Sequence, residues 1–202
     1  MGRPREHDEA TRSRLLDAAE QLSATQGWDA LTVRRIAEEA GTSTRAVYAL
    51  FGSKEGLEQA LHEVMFTRLR DLLQGRERSD DLRQDAINQA LAYRQWATER
   101  PERYALAMHR FIGQRSRPRS PEGLAVSRAA LQELRDVVEG FREAGLLRDD
   151  RETEDVVTQM RATVHGLSEF ENLGLLDPDP EAHWIAAVAA LLDANLRAPA
   201  AA

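Results

Sequence analysis

The sequence predicts an all-α chain of about nine helices, with a module of three helices at the N-terminus and a larger helical region after it. Apolar residues recur at helical spacing along almost the whole chain, and no segment alternates β-branched with polar residues as a half-buried strand does. Of the 202 residues, 42% are hydrophobic and 30% are charged, which is enough apolar surface to bury a core. We therefore expect a globular helical protein.

N-caps and glycines divide the first 75 residues into four helices. The first runs over about 9–24. Thr32 offers a hydroxyl N-cap to the second, which ends at Gly41, a residue suited to a left-handed turn. The third covers about 44–51, and Ser53 caps a long fourth helix.

Five more helices follow, separated by proline, glycine and capping residues. Asp149 and Glu152 are expected to form a capping box for the eighth helix, and Asp179 with Pro180 to begin the ninth. The expected ranges are about 82–98, 101–114, 122–144, 152–173 and 180–196.

The composition excludes several kinds of site. The chain has no cysteine, which excludes disulfide scaffolds, thiol nucleophiles, iron–sulfur clusters and thiolate zinc sites. No pair of histidines has metal-ligand spacing, so we expect neither a metal nor another cofactor. The longest apolar stretches, such as Trp184–Leu192, are shorter than the roughly 20 residues that span a bilayer. We expect no membrane partner and a cytoplasmic location.

The net charge of −7 argues at first against a nucleic-acid partner, since proteins that neutralise phosphates usually carry a basic surface. The charge is unevenly distributed, however. Residues 1–54 hold eight basic and eight acidic side chains, so the whole surplus of negative charge lies beyond residue 54. A nucleic-acid site is therefore expected only in the first part of the chain.

The second and third helices have the size and punctuation of a helix-turn-helix. Ala37 is a small residue where the two helices would cross closely, and Gly41 permits the turn between them. Val47 is a β-branched residue expected on the inner side of the third helix. This arrangement predicts which face of the third helix is exposed.

The exposed face of the third helix should carry Thr44, Arg45 and Tyr48. A helix about two turns long can enter the major groove of DNA end-on. There Arg45 can make two hydrogen bonds to guanine or to a phosphate, and Thr44 can contact a base edge or methyl group. The Tyr48 hydroxyl can donate to a phosphate.

Helix ends and arginines surround this face. Helix N-termini present free N–H groups to anions, so phosphates are expected at Thr32 and Lys54. Arginines follow Thr32, and others lie in a proline-containing arm that could enter the minor groove. Taken singly, each arginine could instead be a solvated surface charge. The candidate DNA contacts are Arg3, Arg5, Thr32, Arg34, Arg35, Ser43, Thr44, Arg45, Tyr48 and Lys54.

Motifs within residues 11–57 run Thr-Arg-Ser-Arg-Leu-Leu-Asp-Ala-Ala from residue 11, Leu-Thr-Val from 31, Ile-Ala-Glu-Glu-Ala-Gly-Thr-Ser from 36, Tyr-Ala-Leu-Phe from 48 and Ser-Lys-Glu-Gly-Leu from 53. They resemble the N-terminal DNA-binding domain of the TetR family of bacterial transcriptional regulators. The resemblance implies a homodimer, a palindromic operator and a C-terminal domain that binds a small inducer. Leu50 stands where the family often has a histidine, and the aromatic residue often found near Leu22 is absent, which implies one phosphate contact fewer.

Two stretches of the C-terminal region, Trp96–Tyr104 and Val164–Leu167, resemble landmarks of a TetR subgroup named for a Trp-His-Gly signature. The tryptophan of that signature is not beside His165 here. The resemblance therefore covers the signature in part.

The last two helices are the expected dimer interface. One short recognition helix contacts few base pairs, whereas two of them about 34 Å apart read a palindrome in successive grooves. Ala186, Ala187, Ala189 and Ala190 would allow close helix approach. The alternative is that these helices pack within one subunit. The apolar residues expected at the interface are Val156, Met160, Val164, Leu167, Trp184, Val188, Leu191 and Leu192.

An effector pocket is expected on the middle helices, because ligand pockets are typically apolar and aromatic with a few polar groups. Most of the candidates would be ordinary core residues. His109 and His165 would be polar anchors or pH-sensitive groups, or else hydrogen-bonded core histidines. The pocket candidates are Tyr93, Trp96, Tyr104, Met108, Phe111, Phe141, Met160, His165 and Phe170.

These features predict a ligand-responsive, DNA-binding transcriptional repressor that binds a palindromic operator as a homodimer and is released by a small-molecule effector. Residues 1–54 would bind DNA, residues 55–197 would bind the effector and dimerise, and residues 198–202 would form a disordered tail. The alternatives are an all-helical enzyme and a helical interaction protein without DNA activity. An enzyme is not expected, because the sequence lacks G-x-S-x-G, H-E-x-x-H and phosphate-loop motifs.

Overall fold

The structure is a computed structural model that describes residues 5–75, 79–108 and 121–198. The described residues form nine α-helices and no strand, as the sequence predicts; Leu147 and Leu196 form an isolated antiparallel bridge. The helices are α1 (Arg5–Gln26), α2 (Val33–Glu39), α3 (Thr44–Phe51), α4 (Lys54–Gln74), α5 (Leu82–Glu99), α6 (Pro101–Ala105), α7 (Pro121–Glu143), α8 (Thr153–Asn172) and α9 (Pro180–Asn195).

Side-chain caps fix several of these boundaries where the sequence places them. The Thr32 hydroxyl accepts a hydrogen bond from the Arg35 N–H at 3.2 Å. The Ser53 hydroxyl accepts from the Gly56 N–H at 3.1 Å, and the Asp179 carboxylate accepts from the Ala182 N–H at 3.1 Å. Each cap satisfies an amide that the first helical turn would leave without a partner.

One predicted helix start and one predicted cap are wrong. α1 begins at Arg5, so this residue is helical and not part of an extended arm. Glu152 occupies the N-cap position of α8 but its side chain makes no capping hydrogen bond, and Asp149 pairs with Arg197 instead. The capping box is absent because α8 begins after Glu152, which leaves Asp149 three residues before the N-cap position.

The helix predicted over 101–114 is also shorter as an α-helix than expected. It ends as an α-helix at Ala105 and is followed by a π-helical turn over 106–108. The rest of that predicted helix and residues 199–202 of the predicted tail lie outside the described residues.

The chain divides into two compact units. The first comprises Met1–Phe66 and Glu102–Val126, and the second comprises Thr67–Pro101 and Ser127–Ala202. This division differs from the predicted domain boundary at residue 54. Residues 54–66 of α4 and 102–105 of α6 belong to the same unit as the helix-turn-helix.

In the first unit, α1, α2 and α3 pack against one another, and the predicted inner residue Val47 is fully buried. An ion pair 2.5 Å long joins Glu20 of α1 to Arg103 of α6. Only 7% of the Glu20 side chain and 13% of the Arg103 side chain is exposed. A buried carboxylate without a partner would cost several kcal/mol, so this pair fixes α6 against α1.

In the second unit, α5, α8 and α9 pack against one another around Trp184, which is fully buried. The Trp184 Nε1 donates to the Glu171 carboxylate at 2.8 Å, and the Arg94 guanidinium donates to both oxygens of that carboxylate. Such charge-assisted, two-pronged hydrogen bonds are strong and directional. One residue from each helix therefore fixes the register of the three.

A tight corner joins α3 to α4. Gly52 adopts φ 74°, which reverses the chain after α3. A Cβ atom placed on Gly56 would lie 1.9 Å from the Phe51 carbonyl oxygen, far inside van der Waals contact. The absent side chain of Gly56 thus lets the first turn of α4 contact the backbone end of α3.

We predict that Gly56→Ala lowers the free energy of unfolding by about 1–3 kcal/mol, because the added methyl group meets rigid backbone. Gly140→Ala in α7 is the matched control, since its Cβ would meet nothing within 4 Å. Alanine there should stabilise the chain by up to about 1 kcal/mol through helix propensity. Urea denaturation of both variants measures the two changes in the free energy of unfolding. If both substitutions changed it in the same direction, the close contact between Gly56 and the Phe51 carbonyl would be contradicted.

Candidate functional site

The exposed face of α3 matches its prediction. The Ser43 hydroxyl caps the helix by accepting from the Ala46 N–H at 3.3 Å. Thr44, Arg45 and Tyr48 are all exposed, and 55% of the Tyr48 surface is accessible. This is unusual for a tyrosine, whose ring usually finds apolar contacts, and it leaves a cation, a hydroxyl and a phenol pointing away from the core.

The arginines near this face differ in whether a carboxylate of the chain already binds them. Among the described residues, neither Arg35 nor Arg45 has an ion pair. Arg34 is exposed but pairs with Glu38 at 2.8 Å, and this hydrogen bond raises the pKa of the guanidinium further above its ordinary value. Arg34 would have to break its ion pair with Glu38 to bind a phosphate. Arg35 and Arg45 have no such ion pair among the described residues.

Lys54 begins α4 as predicted, but its side chain has partners that the sequence does not predict. Its Nζ donates to the Trp28 carbonyl at 3.0 Å and to the Leu31 carbonyl, and it lies 5.5 Å from the centre of the Trp28 ring. The ammonium group is therefore directed toward two backbone carbonyls of the first unit. Sequence reasoning missed this because a lysine at a helix start resembles a solvated charge, and its partners lie 23 and 26 residues away.

Two other contacts that hold the helix-turn-helix were missed as well. The Arg12 guanidinium of α1 lies 5.6 Å from the centre of the Phe51 ring at the end of α3. One feature of the sequence could have indicated the close approach at Gly56, namely a glycine in the first turn of a long helix, where helix propensity disfavours it.

The predicted N-terminal arm is described only in part, since Arg3 lies outside the described residues.

Three of the predicted pocket residues come together in the second unit. The Tyr93 hydroxyl and the His165 Nδ1 are hydrogen-bonded at 3.0 Å, and their rings meet edge to face at 5.6 Å. The Trp96 ring centre lies 5.6 Å from that of Tyr93. This group combines aromatic surface with polar atoms, as ligand sites do.

The other pocket candidates do not join this group. Phe141 and Met160 are buried in the core around Trp184. Phe170 was expected to face inward but is 53% exposed, because it lies on the outer side of α8. Two more are buried in the first unit, namely Tyr104 and Met108, and Phe111 lies outside the described residues, as does His109, the other candidate polar anchor.

The predicted dimer-interface residues lie in the core of the second unit or against it, because the large apolar side chains of α8 and α9 pack around α5. The prediction is wrong for the five that are buried, since a second chain could not contact them, and it stays a prediction for the three that are partly buried. Five are buried and three are partly buried against the same core: Val156, Met160, Trp184, Val188 and Leu192, then Val164, Leu167 and Leu191.

Neither a metal nor a membrane site is indicated in the described part of the chain. No group of three or more histidine, aspartate and glutamate residues there could hold a metal ion. No helix there is both long and apolar enough to cross a bilayer.

Burial lowers the pKa of His165 below its ordinary value of 6.5, the charge of Arg161 lowers it further, and Glu169 partly opposes this. Below about pH 6.5 the unfolded chain then binds a proton that the folded chain does not, so the free energy of unfolding should fall as the pH drops below this value. NMR titration of the His165 ring should give a pKa below 6.5. His165→Phe should reduce the acid sensitivity of unfolding, with the exposed His183→Gln as control. A ring that titrates above its ordinary value would contradict the buried environment.

Two family models match the chain. The model described as "Bacterial regulatory proteins, tetR family" matches residues 15–61, which contain the helix-turn-helix. The model described as "Tetracyclin repressor-like, C-terminal domain" matches residues 86–191, more than half of the chain. The proposed Trp-His-Gly subgroup stays a prediction.

Individual proteins show the same likeness. An uncharacterised HTH-type transcriptional regulator of Bacillus subtilis, YvkB, is 43% identical over 51 residues, which are 25% of this chain and 27% of that protein. The chain thus matches about a quarter of the length of that relative. Another such regulator, Rv0681 of Mycobacterium tuberculosis, is 26% identical over 83% of this chain and 72% of its own length.

The fold is shared along nearly the whole chain. The crystal structure of a TetR family transcription regulator from Marinobacter aquaeolei matches 96% of this chain and 99% of its own, with a TM-score of 0.77 and 24% identity. With both family models matched and the helix-turn-helix in place, the chain belongs to the TetR family of bacterial regulatory proteins.

Proposed function

We propose that this chain is a transcriptional repressor that binds a palindromic operator as a homodimer and is released by a small-molecule effector. The observation that carries the proposal is the exposed face of α3, with Thr44, Arg45 and Tyr48 around a buried Val47. A helix of eight residues is about 12 Å long, which suits the width of the major groove. The protein would act in the cytoplasm, where bacterial DNA lies.

The residue types on this face suit base reading. Arg45 is the cation of this face and has no acid partner among the described residues, so its guanidinium can donate two hydrogen bonds to guanine O6 and N7. Thr44, one residue nearer the helix start, can contact a thymine methyl or a base edge. Tyr48, one turn further on, can donate to a backbone phosphate.

Phosphate contacts on the flanks would orient α3. Arg35 is exposed and unpaired, and Thr32 and Ser43 are exposed caps that keep a hydroxyl proton to donate. Arg34 would contribute after releasing Glu38. Arg3 and Arg5 remain candidates for the minor groove, Arg5 now from the first turn of α1.

The second copy of the chain would pack on the outer faces of α8 and α9. On α9, Ala182, Ala186 and Ala190 follow one another at intervals of four residues, and all three are exposed. Small residues at this spacing allow two helices to approach closely. Four of the six large hydrophobic residues exposed in the described part of the chain lie at the end of α8, in the loop after it and on α9: Phe170, Leu173, Leu175 and Ile185.

The effector would bind in the second unit at Tyr93, Trp96 and His165. A ligand that contacts α5 and α8 there would favour one arrangement of these helices over another. By linkage, a ligand changes DNA affinity only as far as it binds the two arrangements differently. The chemistry of this group suits an aromatic or apolar ligand with one polar atom near the His165–Tyr93 pair.

We predict that Arg45→Ala with Tyr48→Ala lowers specific operator affinity at least about 100-fold. Each of the two subunits would lose a base-reading contact of Arg45, worth about 1–3 kcal/mol, and a phosphate contact of Tyr48. The melting temperature should stay unchanged because both side chains are exposed. Selection of genomic fragments by the purified protein supplies the operator, and mobility shifts at two salt concentrations measure affinity. Arg70→Ala, outside the helix-turn-helix, is the control. Unchanged operator affinity in the double variant would refute the reading face.

We predict that Ala186→Glu converts a dimer into a monomer, because a carboxylate would be buried against the partner's α9. Light scattering coupled to gel filtration should show the mass fall from about twice to once 22.7 kDa. Ala125→Glu replaces an exposed helical alanine on α7 and is the matched control. If Ala186→Glu remains dimeric, the outer face of α9 is not the interface.

A further inference from the structure

One hydrogen bond closes the segment that contains both helices of the helix-turn-helix. The chain leaves Leu31, forms α2 and α3, and returns at Lys54, the first residue of α4. There the Lys54 ammonium donates to the Leu31 carbonyl, and a second hydrogen bond of 3.0 Å reaches the Trp28 carbonyl. The recognition helix therefore lies inside a loop of chain whose two ends are joined through one side chain.

The residue type at position 54 fits this joint. Lys54 is the single lysine among the 27 lysine and arginine residues of the sequence. An ammonium group is compact and donates in three divergent directions, whereas a guanidinium is planar and donates as a flat fork. Two backbone carbonyls and the face of the Trp28 ring surround the Lys54 Nζ, and this is a geometry that an ammonium can satisfy.

We propose that Lys54 is a positioning residue for operator binding, which holds α3 in its reading position through the Trp28 and Leu31 carbonyls and does not itself bind a phosphate. The proposal rests on the proposed operator-binding function. α3 is joined to α4 at the Gly56 corner, so any shift of α4 relative to the 28–31 segment moves Arg45 and Tyr48. Reading contacts require their side chains to be held within about 0.5 Å of the productive geometry.

Direct phosphate binding by Lys54 has different consequences. A cation that only neutralises a phosphate contributes to operator and unrelated DNA alike, and its loss reduces the salt slope by about 0.9. A positioning residue affects the operator far more than unrelated DNA, because only the operator needs the exact fit of the reading face. The ratio of the two affinities therefore separates the two roles.

The first test uses the single lysine as a chemical probe. An amine-specific acylating reagent is applied to the free protein and to its complex with the selected operator, and peptide mapping follows Lys54 alone. Because its reaction requires local opening, Lys54 should react at least about tenfold more slowly than a free lysine with or without operator. Fast labelling of the free protein, with protection only by operator, would overturn the proposal in favour of a phosphate contact.

The second test compares Lys54→Met, Lys54→Arg and Arg35→Met at a temperature where circular dichroism shows each variant folded. Lys54→Met should lower operator affinity about 10- to 100-fold and affinity for unrelated DNA less than about threefold. Lys54→Arg keeps the charge and should not restore the wild-type ratio. Arg35→Met, at an exposed candidate phosphate contact, should weaken binding to both DNAs.

Two outcomes of the second test would overturn the proposal. Full rescue by Lys54→Arg would mean that charge alone matters, and an unchanged affinity ratio with a lower melting temperature would mean that Lys54 only stabilises the fold. A wild-type protein that selects no operator would instead refute the proposed function, so the two failures are distinguishable.

Discussion

The two helices of the helix-turn-helix are too short to be stable alone. α2 has seven residues and α3 has eight, whereas isolated helices in water need about 12–15 residues to persist. Their structure therefore depends on what holds them: burial of Val47, the hydroxyl caps at Thr32 and Ser43, and the contact of α4 with α3 at Gly56. A helix held in this way can leave its outer face to polar residues, because none of that face is needed for its own stability.

In the second unit the question is which face of α9 becomes buried, since this helix is apolar on both sides. Its bulky residues, with Trp184 at the centre, bury more surface per side chain and so face the core, while the alanines remain outside. The hydrogen bond from Trp184 to Glu171 fixes this choice, because a rotation of α9 would leave the indole and the carboxylate without each other. The fold of one chain thus leaves Ala182, Ala186 and Ala190 exposed on one surface of small residues.

Periodicity and capping predict most of the fold, and the limits of the prediction have physical causes. The position of Val47 predicts which face of α3 is exposed, because a helix of eight residues buries one side and leaves its other side in contact with solvent. The inner and outer faces of α9 could not be told apart, since hydrophobic spacing marks both. Lys54 could not be predicted either, because a side chain with four rotatable bonds binds carbonyls that its neighbours in sequence do not supply.

The acidic balance of the chain is compatible with a DNA interface once ion pairing is considered. Away from the helix-turn-helix, arginines such as Arg94, Arg135 and Arg148 are each paired with a carboxylate. Arg35 and Arg45 are exposed without such pairs, so the net charge of the chain understates the positive potential at the reading face.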